Sequence, residues 1–150
     1  MNRQIKFRGF TTHFDKGWIY GSLSIKNTID EMTNFGWVSE TIVEEESIGQ
    51  FTGFRDKNGV DIYEGDVVEE YLFSFPTFSV VEWSDEYGCF GKRQIRIVDD
   101  AKEEKRNGMF TDIHRWNCKD LTVIGNIFEN NYKEKINDHD KFYNNTLCKK

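Results

Sequence analysis

The sequence has little proline and few cysteines. A single proline, Pro76, occurs in 150 residues, and the three cysteines are Cys89, Cys118 and Cys148. The cysteines are odd in number and widely spaced, without a C-x-x-C pair, which is typical of reduced thiols rather than of the disulfide framework of a small secreted protein. We therefore expect no disulfide bond.

Long apolar runs and an excess of positive charge are also missing. The first eight residues alternate polar with apolar side chains, and no stretch approaches the ~20 apolar residues of a membrane-spanning helix. We therefore expect a cytoplasmic protein without a secretion signal. Lys and Arg number 20 against 26 Asp and Glu, a net charge of -6. This balance opposes the binding to phosphates that basic proteins use, so sequence-independent coating of DNA is not expected.

Common catalytic and ligand-binding motifs are absent as well. The sequence contains no G-x-S-x-G nucleophile motif and no glycine pattern of a phosphate-binding or dinucleotide-binding loop. His114 and Cys118 are four residues apart and would share one face of a helix, but they supply only two of the four ligands of a structural zinc site. We predict no enzyme activity, no catalytic residue, no metal and no cofactor.

Aromatic residues, in contrast, make up 15% of the chain, with 13 Phe, 6 Tyr and 4 Trp. Within residues 1–47, a period-two alternation at 3–8 and the bulky stretch 17–23 predict two strands that form a hairpin. Ile29, Met32 and Phe35 have helical spacing after a candidate cap at Asn27 or Thr28, which predicts one short helix over 27–35. The glutamate-rich segment 38–47 is interpreted as a solvated connection or an exposed edge that ends a first subdomain.

From residue 48 onward, short strands are predicted in close succession. The segments 48–54 and 60–63 flank a tight turn at 56–59, in which Gly59 takes a positive φ. Further strands are predicted at 67–73, 78–83, 89–98 and 121–128, with a loop at 74–77. Such spacing favours a small barrel over residues 48–130. The charged segment 99–108 is predicted to form one or two exposed helical turns, and residues 131–150 a polar, frayed C-terminal tail.

Five sequence blocks within these segments resemble the YopX family of phage and prophage proteins. They are IKFRG at 5–9, WIYGSL at 18–23, IGQFTGFRDKNG at 48–59, IYEGDVV at 62–68 and VIGNIFEN at 123–130. The resemblance implies an α+β but mostly β protein, with an N-terminal α+β subdomain (1–47) associated with self-association and an SH3-like barrel (48–130). It also implies a gene carried by a phage or prophage and expression in the bacterial host cytoplasm. It transfers no catalytic residue.

The aromatic surplus leads to the favoured functional interpretation. Two small subdomains have little interior, so some rings are expected to cover a subunit interface, and Trp18, Tyr20 and Trp37 are the candidates. We therefore expect a homo-oligomeric, non-enzymatic phage accessory protein that binds a host or phage protein.

Two alternative functions set conditions that the structure can test. A nucleic-acid-associated barrel requires six basic residues to gather on one face or in an oligomer. They are Lys6, Arg8, Arg55, Lys92, Arg93 and Arg96. A hydrolase would use Glu64 and Asp66 as paired carboxylates, at least one of them beside a concave pocket. The simpler interpretation of this pair is a turn in which Asp66 accepts backbone N–H groups.

Overall fold

The chain is mostly β in its computed structural model. The model describes residues 4–13, 17–32, 35–36, 38–72, 75–98, 103–105, 108, 110–113, 118–129, 132–133 and 136, with only the backbone of 96–98 and 103–105. The strands are β1 (Phe7–Thr11), β2 (Gly17–Leu23), β3 (Thr28–Met32), β4 (Val38–Ile42), β5 (Gly49–Arg55), β6 (Asp61–Tyr63), β7 (Asp66–Leu72), β8 (Phe75–Ser84), β9 (Cys89–Gln94), β10 (Arg96–Val98), β11 (Glu103–Lys105), β12 (Phe110–Asp112) and β13 (Thr122–Asn126). Single 3-10 turns lie at Glu45–Ser47 and Cys118–Asp120.

Six strands form an antiparallel sheet, the N-terminal sheet, in the order β4-β3-β2-β1-β5-β6. β1 and β2 form the expected hairpin, in which Arg8 lies opposite Tyr20 and Phe10 lies opposite Trp18. Because alternate residues of a strand share a face, these four side chains lie on one face of the sheet. β1 also pairs with β5, so the sheet crosses the subdomain boundary placed after residue 47. That boundary stays a prediction.

Five strands form a second antiparallel sheet, the C-terminal sheet, in the order β12-β9-β8-β7-β13. A sheet with one solvated face has buried and exposed residues in alternation. The C-terminal sheet instead has two pairs of consecutive buried valines, Val67–Val68 and Val80–Val81, because both of its faces are covered. Val68 and Val81 pack in one cluster with Ile62 of β6, whereas Val67 and Val80 pack in a second cluster. The β5–β6 hairpin therefore belongs to the N-terminal sheet and also covers one face of the C-terminal sheet.

Asp56 joins the β5–β6 turn to the C-terminal sheet. Gly59 has φ 82°, which confirms the tight turn predicted from the sequence. Asp56 Oδ1 accepts the N–H groups of Asn58 and Val60, at 2.8 and 2.9 Å. Asp56 Oδ2 accepts the N–H of Val123 in β13 at 3.0 Å. One carboxylate therefore holds both the turn and the strand that packs beside it.

The prediction of a short helix over 27–35 is wrong, because residues 28–32 are the strand β3. Lys26, at φ 49°, reverses the chain after β2, and the N–H of Ser24 donates to the carbonyl of Thr28. Ile29 is fully buried, but Met32 is 77% exposed. The apolar residues at helical spacing therefore do not share one buried face, and pairing with β2 and β4 decides the conformation.

The described strands of 48–130 do not close into a barrel, because both sheets are open, and the SH3-like barrel stays a prediction. β5 and β6 pair with β1, while β7, β8, β9, β12 and β13 form the C-terminal sheet. The described residues of 1–47 contain four strands and one 3-10 turn, and no α-helix among them supports the α+β assignment. The exposed-edge interpretation of the glutamate-rich segment is confirmed for its first part, because β4 is the terminal strand of its sheet.

Three smaller predictions are wrong for reasons of tertiary packing. The predicted loop at 74–77 belongs to β8, where Pro76 lies opposite Tyr71 of β7 and beyond the ladder with β9, so its missing N–H is tolerated. Within the charged segment, residues 103–105 form β11, paired with β10, and not the predicted helical turn. The frayed tail is wrong for Tyr132 and Ile136, which are buried in the core.

Candidate functional site

A cavity lies between the two sheets. Its volume is about 220 Å³. The N-terminal sheet contributes Arg8 and Trp18, the β6–β7 turn contributes Glu64, and the chain around the end of β13 contributes Asn126 and Phe128. The remaining wall comes from residues 46–48 beside the 3-10 turn and from residues 80–82 of β8. This inter-sheet cavity is the candidate functional site.

A buried ion pair closes the cavity on one side. Arg8 Nη2 of β1 lies 2.6 Å from Asp66 Oδ1 of β7, and the two side chains are 9% and 1% exposed. Asp66 Oδ2 also accepts the N–H of Tyr63 at 2.8 Å. Burial raises the pKa of Asp66 to about 6, and the Arg8 charge and the Tyr63 N–H moderate that rise. Arg8 Nε is buried and has no hydrogen-bond partner among the described residues.

Aromatic rings surround the Arg8 guanidinium. Its carbon lies 4.6 Å from the ring centroid of Trp18 and 5.0 Å from that of Tyr63, within the range of cation–π attraction. Phe128 packs against Trp18 and Phe10, with centroids 6.0 and 5.4 Å apart. Phe128 follows β13, so this aromatic layer joins the end of the C-terminal sheet to the β1–β2 hairpin.

The three aromatic residues proposed for an interface, Trp18, Tyr20 and Trp37, differ in what the structure shows of them. Trp18 is half-buried within its own chain, and its Nε1 donates to Glu129 Oε2 at 3.2 Å. Tyr20 is 46% exposed, and its ring centroid lies 5.7 Å from that of Tyr63. Trp37 lies outside the described residues. Contacts within the chain therefore bury part of the Trp18 side chain. An interface role for the three residues stays a prediction.

A second surface feature lies at the β4 edge of the N-terminal sheet. β4 has β3 on one side and no strand among the described residues on the other. Met32 lies opposite Val38 in the β3–β4 ladder, and Ile42 ends β4 on the same face as Val38. These side chains are 77%, 60% and 56% exposed. We refer to these three residues and the open side of β4 as the β4 edge.

The basic residues that a nucleic-acid interface would require are held by carboxylates. Lys6 and Arg55 both bind Asp61, and Arg8 binds Asp66. In the C-terminal sheet, Lys92 pairs with Glu70 in the core and Arg93 pairs with Glu82. The side chain of Arg96 is outside the described residues. These five basic residues therefore contact four carboxylates, because Lys6 and Arg55 share Asp61, and most of their positive charge is compensated locally rather than offered to a phosphate backbone.

Lys6 and Asp61 extend the charged network around the aromatic layer. Lys6 Nζ lies 4.5 Å from the ring centroid of Phe51 and donates to Asp61 Oδ2. Burial acts to raise the pKa of Asp61, but the hydrogen bonds from Lys6 and Arg55 outweigh it and hold that pKa below its usual range. Burial raises the pKa of Tyr63. These contacts position strands and offer no nucleophile.

Glu64 lines the inter-sheet cavity, so one of the two carboxylates meets the condition set for a hydrolase, whereas Asp66 is buried against Arg8 and the Tyr63 N–H and does not line it. A two-carboxylate hydrolysis needs both groups at the reacting bond. The turn interpretation of Asp66 as an acceptor of a backbone N–H is confirmed.

Within the described ranges, no three His, Cys, Asp or Glu residues are grouped to hold a metal ion. His114, half of the sequence's candidate pair, lies outside those ranges, and Cys118 and Cys89 are reduced thiols. No helix among the described residues is long and apolar enough to cross a membrane.

Sequence reasoning missed most residues of the cavity. The hairpin predicted from the sequence placed Arg8 and Trp18 on neighbouring strands. The period-two pattern of a strand places Arg8 and Phe10 on the same face. Glu46, Asn126 and Phe128 had no local signal, because they reach the cavity through the packing of separate segments.

These features define a class of mostly β proteins built from two packed antiparallel sheets with a small polar and aromatic cavity at their junction. The chain matches the YopX protein family over residues 6–132, which is most of its length. It therefore belongs to the YopX family. No curated protein sequence matches it significantly.

Proposed function

We propose that this YopX family member is a non-enzymatic interaction module of phage or prophage origin, which self-associates and binds a host or phage protein in the bacterial cytoplasm. In this proposal the strands from β5 onward form an SH3-like unit. Its first two strands, β5 and β6, pair with the N-terminal sheet and pack on the C-terminal sheet. The observation that carries the proposal is the β4 edge.

The β4 edge has the properties of a pairing surface. An edge strand presents unpaired N–H and C=O groups, and natural proteins usually protect such strands with charge, proline or a covering segment. Here Met32, Val38 and Ile42 expose apolar side chains beside that backbone. A strand of a second copy would satisfy the backbone groups and cover the apolar side chains together. We assign this surface to self-association.

The interior of the molecule supports the non-enzymatic part of the proposal. Several polar groups around the inter-sheet cavity are engaged in structural contacts, such as Arg8 with Asp66 and Asn126 with Glu129. Glu64 also lines the cavity, and its backbone carbonyl accepts a hydrogen bond from Arg8 Nη2 at 3.3 Å. The basic side chain bound at Glu64 is therefore itself engaged in structural contacts.

Mass measurement in solution tests the self-association. The monomer has a mass of 17.8 kDa, and we expect light scattering at tens of micromolar to give a multiple of it. Val38→Lys and Ile42→Lys should each shift the protein towards monomer, because a charge on an apolar contact opposes its burial. Val60→Lys is the matched control, since Val60 is exposed on the β5–β6 turn. A strict monomer at these concentrations contradicts the proposal.

A further inference from the structure

We propose that Asn58, in the β5–β6 turn, is a site of spontaneous deamidation, and that its conversion to isoaspartate loosens the contact between this turn and the C-terminal sheet. The conversion takes up water and releases ammonia, and it needs no other reactant. The inference goes beyond the proposed function, because it concerns a covalent change of the chain itself. It uses neither the β4 edge nor the inter-sheet cavity.

The reaction joins the side chain of an asparagine to the backbone nitrogen of the next residue. The nitrogen of Gly59 loses its proton and attacks Cγ of Asn58, so that a bond from this nitrogen to Cγ forms and the bond from Cγ to Nδ2 breaks. Nδ2 leaves as ammonia with that proton, and a cyclic imide remains. Water then opens the imide. Opening at the side-chain carbonyl gives aspartate, and opening at the backbone carbonyl gives isoaspartate, in which the main chain runs through Cγ.

The structure leaves the Asn58 side chain available for this reaction. Asn58 and Gly59 are both exposed, and the side-chain amide of Asn58 makes no hydrogen bond to a described residue. Gly59 has no side chain to hinder the approach of Cγ, and a Cβ built there would meet nothing within 4 Å. The turn is therefore open to solvent at the two residues that react.

The two other asparagines among the described residues are protected. Asn27 Nδ2 donates to the carbonyl of Val43 at 2.8 Å, and Asn126 is buried, with Nδ2 bound to Glu129 Oε2 at 2.6 Å. Each is followed by a β-branched residue, whose stiff side chain crowds the attacking nitrogen. Asn58 therefore differs from both in its exposure, its hydrogen bonding and its neighbour in the sequence.

The hydrogen bonds of the turn control the rate of the reaction. The Gly59 N–H, which must lose its proton, donates to the carbonyl of Asp56 at 3.0 Å. The N–H groups of Asn58 and Val60 donate to Asp56 Oδ1. The Gly59 nitrogen must give up its bond before it attacks, so the turn opens first. Because opening costs these hydrogen bonds, we expect Asn58 to react at least about tenfold more slowly in the folded protein than in an unfolded peptide.

Isoaspartate at residue 58 is incompatible with the hydrogen bonds of this turn. It adds a methylene group to the main chain and so displaces the N–H groups of Gly59 and Val60 from Asp56. Asp56 is 5% exposed, and its Oδ2 accepts the N–H of Val123 in β13 at 3.0 Å. The altered turn therefore weakens the link that Asp56 makes to the C-terminal sheet. Ordinary aspartate at residue 58 keeps the length of the main chain and should leave this link intact.

The test follows residue 58 by tryptic mass spectrometry in the folded full-length protein at mildly alkaline pH. The reference is a synthetic peptide of residues 55–60, which gives the rate of the reaction without the turn. We expect residue 58 to convert from amide to acid about tenfold or more slowly than in the peptide, with isoaspartate as the main product. A second Asn-Gly pair, at 107–108, lies in a different tryptic peptide and is measured separately.

Variants complete the test. Asn58→Gln is the matched control and should stay unconverted, because its longer side chain has to close a larger ring that forms more slowly. Asp56→Asn removes one acceptor oxygen and the charge, so it should speed the conversion of Asn58 towards the rate in the peptide. Urea below the unfolding transition should have the same effect on the wild type, which makes the result independent of the folding of the variant.

The consequence for stability is measured on the converted protein, which has gained a negative charge and is separated by anion exchange. The urea midpoint of the isoaspartate form should lie below the midpoints of the wild type and of Asn58→Asp.

Three results overturn the inference. The first is an unconverted residue 58 after the peptide has reacted completely. The second is conversion as fast as in the peptide, which shows that the turn does not restrain the reaction. The third is an isoaspartate form as stable as Asn58→Asp. The mass measurement of the proposed self-association is unaffected by each of them, so the inference and the proposed function fail separately.

Discussion

Arg8 and Asp66 form a buried ion pair that joins β1 of the N-terminal sheet to β7 of the C-terminal sheet. The 2.6 Å contact between Arg8 Nη2 and Asp66 Oδ1 lies beside the inter-sheet cavity, and the aromatic rings of Trp18 and Tyr63 pack around the guanidinium. Two strands far apart in the sequence are thereby joined, and Arg8 forms part of the cavity wall.

Asp66 makes the stability of the protein depend on pH in an unusual direction. Its pKa is raised from 3.8 to about 6, so the folded protein takes up this proton before the unfolded chain does as the pH falls. The contribution of Asp66 to stability is therefore fully present below the unfolded pKa and is lost as the pH rises through about 6. A shift of this size corresponds to ~3 kcal/mol. Most carboxylates in ion pairs behave in the opposite way.

The comparison of wild type with Asp66→Asn isolates this effect. The free energy of unfolding of the wild type minus that of the variant should increase by ~3 kcal/mol between pH 7 and pH 3.5, measured by urea titration. Other carboxylates cancel because both proteins contain them. A difference that stays constant or shrinks towards acid contradicts the prediction. Asp66→Ala should be less stable than Asp66→Asn at every pH, because it also removes the acceptor of the Tyr63 N–H.

Asp56→Ala should destabilise the fold by about 3–5 kcal/mol. The carboxylate accepts three backbone N–H groups, from Asn58, Val60 and Val123, and a hydrogen bond to a charged group contributes about 1.5–3 kcal/mol. Asp85→Ala is the control, since Asp85 is exposed and accepts one hydrogen bond, from Trp83 Nε1. Equal losses for the two variants in chemical denaturation would show that the Asp56 network is not structural.

Gly49→Ala should destabilise the fold by about 2–3 kcal/mol, because added atoms in a filled interior force the backbone to move. A Cβ on Gly49 would lie 2.3 Å from the carbonyl oxygen of Glu64, which is backbone and has little freedom to shift. Gly17→Ala is the matched control in β2, since a Cβ there meets nothing within 4 Å. A thermal melt that ranks Gly17→Ala below Gly49→Ala in stability contradicts the packing argument.

Glu40→Gln should strengthen self-association several-fold. An antiparallel pairing of two β4 strands centred on Glu40 places Val38 opposite Ile42 of the partner subunit, which pairs apolar side chains. The same register places Glu40 opposite Glu40 of the partner subunit, and like charges directly opposite are destabilising by a few tenths to about 1 kcal/mol. Sedimentation of Glu40→Gln beside Glu86→Gln, an exposed glutamate in the β8–β9 turn, measures the difference. Unchanged association in Glu40→Gln rules out this register.

Local patterns predicted elements whose conformation is encoded nearby in the chain. The stretch 17–23 is β2 as expected, and the turn before Gly59 forms because glycine accepts a positive φ there. The helix assigned to 27–35 failed because its apolar spacing is compatible with a strand once β2 and β4 pair on either side. The burial of Tyr132 could not be predicted from its sequence neighbours, because they are polar. Tyr132 is buried because it packs on the C-terminal sheet, whose strands are distant in the sequence.

The lack of disulfide spacing, of long apolar runs and of common catalytic motifs argued against a disulfide framework, a membrane helix and the familiar enzyme classes, and the amino-acid sequence by itself predicted β2, the β5–β6 turn and the family resemblance. Only the tertiary structure decided that residues 28–32 form a strand, that Arg8 is buried on Asp66, and that five basic residues contact four carboxylates. The physical reason is that a tight turn or a hairpin depends on neighbours within a few residues, whereas other strands form only when partner strands pair with them. The charge state and exposure of a side chain depend on partners that the sheets bring together from distant parts of the chain.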